Sequence, residues 1–239
     1  MPVPHLGRLF SPRASLQAAW AGWTLAVLLC LLPISAEAQL QVTPHQKSKF
    51  WIHGKATGRT FTCKVTRIEG SARLLNQTEG IPKKASDEKT TVQVQVPVKA
   101  VDCGNSMMTN DLQDALKMEK HPEIRFELVH GTMGSRVDTS AQWRRVDALG
   151  PLTVAGTKRL IRLDAAARAI SENYFRVRGC LPIRMTYFNV DPPTKAFGLI
   201  KVKNRVEVQF DLLAQTASAE GSSPLDTISL SNPPSCNDK

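Results

Sequence analysis

An all-β fold of about eight antiparallel strands, closed as a barrel or paired as a sandwich, with one short amphipathic helix, is what this 239-residue chain predicts. Three observations carry that expectation. Apolar and polar residues alternate with a period of two in segment after segment. Clusters of Gly, Pro, Asn and Asp, such as 134–138 (GSRVD), 191–198 (DPPTKAFG) and 203–205 (KNR), read as the turns between them. One stretch only, 105–117 (NSMMTNDLQDALK), carries a helical spacing instead.

The chain opens with an export signal. Arg8 and Arg13 precede an apolar run from Ala18 to Leu32, Pro33 breaks it, and Ala36-Glu37-Ala38 has the small-x-small form that signal peptidase accepts. The run is short of the roughly 20 residues that cross a bilayer core. Residues 1–38 are therefore expected to be a secretory signal peptide, with the mature protein, starting at Gln39, periplasmic or secreted. Cys30 lies between Leu29 and Leu31 and lacks the small neighbour of a lipidation site.

Weak alternation starts at 49–54 (KFWIHG) and sharpens at 59–66, where Phe61, Cys63 and Val65 oppose Thr60, Thr62 and Lys64. The clearest strand is 90–101 (TTVQVQVPVKAV), with Val92, Val94, Val96, Val98 and Ala100 on one face. Pro97 falls on the polar face and implies an edge, a bulge or a missing ladder bond. In the helix, Met108, Leu112, Ala115 and Leu116 share a stripe, Thr109 is a plausible N-cap, Lys117 and Lys120 lie near the end, and Pro122 stops it. So short a helix is marginal in water and has to pack on the sheet. Strands follow at 123–129 (Ile124, Phe126, Leu128), 142–150, within 152–170, within 174–190, and at 204–214 (Val206, Val208, Phe210, Leu212). These place one domain at 39–215. Residues 216–239, small, polar and Pro-rich, read as a flexible tail.

Removing Arg8, Arg13 and Glu37 with the signal lowers the net charge from +10 to +9. The basic residues are scattered and not interleaved with aromatics, which argues against nucleic acid. Transient contact with an anionic membrane surface is compatible with this charge, as is a homodimer. Four cysteines remain, Cys63, Cys103, Cys180 and Cys236, without any C-x-x-C spacing, so disulfides are expected over metal or redox chemistry. The first pairing to consider is Cys63 with Cys103 and Cys180 with Cys236. Against it, Cys63 has apolar-face parity and Cys103 counts to the polar face, so Cys103 with Cys180 stays open.

Asp111, Asp114, Glu119, His121 and Glu123 could be drawn as an acid/base or metal cluster. They alternate with Lys117 and Lys120, which suits a solvated helix face better. His45, His53, His121 and His130 include no metal-binding pair, and neither H-E-x-x-H nor G-x-S-x-G occurs. No enzyme activity, cofactor or metal is expected. Asn76-Gln77-Thr78 matches a glycosylation acceptor.

The order of pieces from Phe50 to Leu213 resembles the YceI-like family, exported bacterial lipid- and polyisoprenoid-binding proteins. The most specific resemblance is a strand, then Asp102, Gly104 and Asn105, the helix, and Lys120-His121-Pro122-Glu123-Ile124-Arg125-Phe126. A second is the G-x-L-x-V-x-G strand, Gly150 to Gly156, which departs from the pattern in having Pro151. The resemblance implies an extended, lipocalin-like antiparallel β-barrel, partly covered by the helix, whose hydrophobic tunnel holds a polyisoprenoid, an isoprenoid quinone or a fatty acyl amphiphile. It carries over no catalytic residues. The expected lining is Phe61, Val94, Val96, Val98, Met108, Leu112, Leu116, Ile124, Phe126 and Phe210, with Arg67, Arg125, Arg145 and Lys158 as head-group candidates at the mouth. Periodicity alone fits a filled core equally well. A ligand-free structural or stress protein, or an enzyme acting on an isoprenoid, are the competing classes.

Overall fold

The computed structural model describes residues 39–75, 91–138, 142–195, 197, 199–216 and 236. The signal segment, Asn76 to Thr78 and all of the tail from residue 217 on except Cys236 lie outside the described residues.

Eight long strands run up and down as one closed antiparallel meander, and the first four are each bent into two segments. They are β1 (Gln39–Pro44) with β2 (Lys49–Ala56), β3 (Arg59–Val65) with β4 (Glu69–Leu75), β5 (Thr91–Pro97) with β6 (Val101–Asp102), and β7 (Glu123–Glu127) with β8 (His130–Asp138). β9 (Trp143–Val154), β10 (Thr157–Ala169), β11 (Tyr174–Arg184) and β14 (Arg205–Thr216) are unbroken. Hydrogen-bonded neighbours run β1-β4-β5-β7-β9-β10-β11-β14, and β14 returns to β1, which closes the barrel. The bends split each ladder. β14 pairs β2 through Glu207 to Asp211 and β1 through Ala214 to Thr216, just as β9 pairs β7 and then β8. Closure leaves no edge in the ring to recruit another chain.

Two insertions gather at one end of the barrel. The first is helix α1 (Ser106–Ala115), between β6 and β7. The second is a 3₁₀ turn, Met185–Phe188, followed by the hairpin of β12 (Thr194–Lys195) and β13 (Ile200–Lys201), between β11 and β14. The cap of α1 is Asn105, not Thr109: the Asn105 side chain accepts from the Met108 N–H at 3.1 Å. Thr109 instead accepts from the Cys103 N–H at 3.0 Å, tying the helix to the strand before it. A left-handed Lys117 ends the segment well before Pro122.

Pro97 closes β5 and opens a 3₁₀ turn over Val98–Ala100. That turn settles the parity of Cys103. It re-phases the chain so that Val101 faces Val65 and Asp102 faces Lys64, and the next step sets Cys103 opposite Cys63. The two form a disulfide, and Cys180 pairs with Cys236, so the Cys103–Cys180 alternative falls. Both bridges suit an oxidising compartment. The first closes a loop with a sequence separation of 40, so the double substitution Cys63→Ser with Cys103→Ser is expected to cost about 4 kcal/mol of folding stability. Chemical denaturation checks this, and an unchanged midpoint would show the bridge to be energetically idle.

The two motif glycines have separate causes. A Cβ on Gly150 would collide with the Glu127 carbonyl oxygen, where β7 gives way to β8 and the ladder slips between the pairs Phe126–Leu152 and His130–Leu149. Pro151 falls in that same slip, which is how a strand can carry it. Gly156 adopts φ +80° in the tight turn from β9 to β10, with the His121 ring packed where a side chain would stand. The conformation and the packing both call for glycine.

Towards the α1 end the buried apolar residues gather into two clusters, and several of them also line the barrel's cavity. Val98, Leu116, Leu152, Val154, Met185, Phe188 and Val190 form one cluster there, and Ile52, Cys63, Val65, Val96, Ala100 and Val101 a second.

Candidate functional site

Beyond those clusters the barrel is hollow. A cavity of about 860 Å³ runs through it, lined by the inward positions of every long strand. β10 contributes Ile161, Leu163, Ala165 and Ala167, β11 Phe175 and Val177, and β14 Val206 to Ala214 at every second residue. The period of two that marks these strands in the sequence is thus the wall of a tunnel. β4 and β8 line it mostly with small residues, Gly70, Ser71, Ala72, Gly131 and Thr132, beside the larger Glu69 and Met133. The small ones leave room where a Leu or Phe would fill the lumen.

Eight of the ten residues expected to line a tunnel do line this cavity: Phe61, Val94, Met108, Leu112, Leu116, Ile124, Phe126 and Phe210. Val96 and Val98 do not. They flank Pro97 and are packed into the two clusters, 5% and 1% exposed, so neighbouring core side chains cover them.

The expected head-group cations are also elsewhere. Arg67 pairs with Glu69 at 3.1 Å, Arg125 with Glu123 at 3.1 Å and Lys158 with Glu127 at 3.4 Å, and Arg145 stands beside Gly134. Arg59, beside the β2–β3 turn, is the cation on the wall. It is the first residue of β3 and shares the parity of Phe61, so the alternation that marks this strand also carries it to the wall. The wall there also holds Asn105, Met107, Met108, Asp111, Pro193 and Ile200. Met107 is 68% exposed and Ile200 49%, so the cavity reaches the surface between α1 and the β12–β13 hairpin.

The polar cluster of the helix region disperses. Asp111 faces the cavity, Glu123 pairs with Arg125 and His121 covers Gly156. Among the described residues the one group with metal-site spacing is Cys180, Glu207 and Cys236, and its two sulfurs are bonded to each other. That disulfide leaves no thiolate to ligate an ion.

The outer face is polar. Positions alternating with the wall on β10, β11 and β14 carry Arg162, Asp164, Arg176, Arg178, Glu207 and Asp211. A charged outside around an apolar lumen reverses the pattern of a membrane-spanning barrel. Among the described residues no helix is long and apolar enough to cross a membrane. On this outer face Arg176 makes a bidentate contact with Asp211, Nε to Oδ1 at 2.7 Å and Nη2 to Oδ2 at 2.5 Å, with both groups buried. The Arg178 and Arg168 guanidinium groups lie 4.1 Å and 4.9 Å from the Trp143 ring centre. Burial, and then the charges of Arg176 and Arg178, push the Arg168 guanidinium below its ordinary value, against the opposing pull of Asp211.

Residues 40–214 match the YceI-like domain family. No curated protein matches the chain significantly. Among solved structures, Burkholderia cenocepacia BcnA is similar at 17% identity with a TM-score of 0.53, covering 70% of this chain and 96% of its own. A polyisoprenoid binding domain from Saccharophagus degradans, described as implicated in plant cell wall breakdown, is similar at 13% identity with a TM-score of 0.54, covering 74% and 98%. At these identities the likeness is one of fold.

Proposed function

Because the chain belongs to the YceI-like family, we propose that it binds a long apolar ligand in the barrel and carries or sequesters it outside the cytoplasm, in the periplasm or beyond, without acting on it chemically. The single observation that carries this reading is the continuous apolar wall around about 860 Å³. That volume falls in the range of roughly 300–1,000 Å³ typical of ligand sites.

Energetics select the ligand's length. Ten buried methylenes are worth about 8 kcal/mol, within the ~4–15 kcal/mol lost on association. A ligand of several isoprene units, or a long acyl chain, clears that cost, and a short lipid does not. The class named for the Saccharophagus degradans domain, a polyisoprenoid, fits this requirement. Polar groups contribute orientation: Arg59 near the opening suits an anionic or strongly polar head, and Asn105 adds hydrogen-bonding capacity.

Organic extraction of protein purified from cells with intact envelope lipids, followed by mass spectrometry, is expected to release about one long-chain lipid per protein. Protein that yields none would overturn the carrier reading in favour of a ligand-free structural role. Release of a chemically altered lipid would favour an enzyme.

A further inference from the structure

Of the exposed large apolar side chains among the described residues, Met107, Met108 and Ile200 are on the cavity wall, and Phe197 and Leu199 stand on the hairpin that carries Ile200, outside the wall. Phe197 is fully exposed and Leu199 75% exposed, at the tip of the β12–β13 hairpin. The tip is presented on a fixed base. The Thr57 N–H donates to the Lys201 carbonyl at 3.1 Å, the Lys201 N–H to Thr57 Oγ1 at 3.1 Å and the Lys203 N–H to the Lys55 carbonyl at 2.7 Å, and Ala56 bridges Val202. Phe197 sits there at φ +54°, a conformation that a bulky residue rarely adopts. A strained backbone thus holds an aromatic ring out in water.

The surroundings are basic. Lys55, Arg59, Lys201 and Lys203 are all exposed around this base. Of the acids in these elements, Asp111 of α1 is on the cavity wall and Asp191, ahead of the hairpin, is exposed.

We propose that this lip docks on an anionic lipid bilayer. Phe197 and Leu199 enter the interface, Lys55, Arg59, Lys201 and Lys203 lie against the anionic head groups, and the opening between Ile200 and Met107 meets the acyl region. The ligand then passes between membrane and barrel without crossing water. Assigning the opening as a ligand gate rests on the carrier reading above. Docking itself rests on the apolar tip and its basic collar, the combination that partitions into anionic interfaces. A bilayer fits better than a protein partner because the apolar area is a narrow protrusion, whereas a stable protein interface buries about 800 Å² on each side.

The test is flotation of the purified protein, both disulfides formed, with phosphatidylcholine vesicles and with phosphatidylcholine–phosphatidylglycerol vesicles. The wild type is expected to bind the anionic vesicles at least about tenfold more tightly, and to lose that preference in high salt. Phe197→Ser with Leu199→Ser is expected to weaken binding to the anionic vesicles about tenfold or more. Lys201→Glu with Lys203→Glu is expected to abolish the preference between vesicle types. Neither pair lines the cavity, so uptake of a fluorescent long-chain lipid from detergent micelles stays at the wild-type level in both. Wild type that fails to float with anionic vesicles, or variants that float as well as wild type, overturn the docking lip. So does a self-association that Phe197→Ser with Leu199→Ser removes while vesicles are ignored, since the patch then meets a second copy. A wild type that floats but takes up no lipid from micelles instead overturns the carrier reading and leaves docking supported.

Discussion

Ala148→Trp is expected to divide the tunnel and to lower long-chain lipid retention by about three orders of magnitude, with the barrel still folded. Ala148 lies midway along β9, faces the cavity and is paired with Leu163 on one side and Gly131 on the other. An indole placed there has open lumen in front of it, so it projects into the ligand path without displacing packed neighbours. If it denies the ligand about five methylenes, the loss is about 4 kcal/mol, close to a thousandfold in affinity. Ala165→Trp makes the same test from β10. Far-UV circular dichroism reports whether each variant folds, and competition with a fluorescent lipid reports affinity. Two folded variants with wild-type affinity would mean that this lumen is not where the ligand lies. Val96→Trp is not an equivalent probe, because Val96 is packed among Ile52, Cys63 and Val65 and an indole there would wreck the core.

The second large effect concerns stability. Asp211 is completely buried and holds Arg176, itself 3% exposed, through both carboxylate oxygens. Asp211→Asn keeps the shape and removes the charge, which takes the bidentate carboxylate away from a buried guanidinium next to Arg168 and Arg178. The expected loss is about 3–5 kcal/mol. The double substitution Arg176→Met with Asp211→Leu should recover most of it, since no buried charge then remains. Urea denaturation of the three proteins checks both statements. Asp211→Asn within about 0.5 kcal/mol of wild type would show that another group neutralises Arg176.

The β10, β11 and β14 strands are legible in the sequence because their wall residues are large and their outer residues charged. β4 and β8 were not, and the cause is the cavity itself. Most of their wall positions are small, Gly70, Ser71, Ala72, Gly131 and Thr132 beside Glu69 and Met133, which blurs the alternation, and 134–138 reads as a turn although it continues β8. β1 hides for a related reason, since it is the short closing segment before the bend at 45–48. The two misplaced wall residues have separate causes. A period of two assigns Val94, Val96 and Val98 to one wall, but Val96 is covered by its packing among Ile52, Cys63 and Val65, and the 3₁₀ turn after Pro97 takes Val98 out of the strand. The disulfide partners were readable in outline, but their parity conflict could be resolved only by that same turn. The cation at the opening, Arg59, is the first residue of β3 with the parity of Phe61 and could have been read from that alternation, whereas Arg125, Arg145 and Lys158 lie on strands but not on the cavity wall.

The seam between the first and last strands has a consequence in time. The cavity wall needs Val206, Val208, Phe210, Leu212 and Ala214, and ring closure needs Val42 to meet Thr216. These are among the most distant pairings in the sequence, so the lumen is the last thing the folding chain can make. While a nascent chain lacks β14, its apolar wall is an open sheet with no inside, prone to aggregate. Ligand capture is therefore confined to finished molecules, and whatever protects the chain before that moment has to recognise an exposed sheet face.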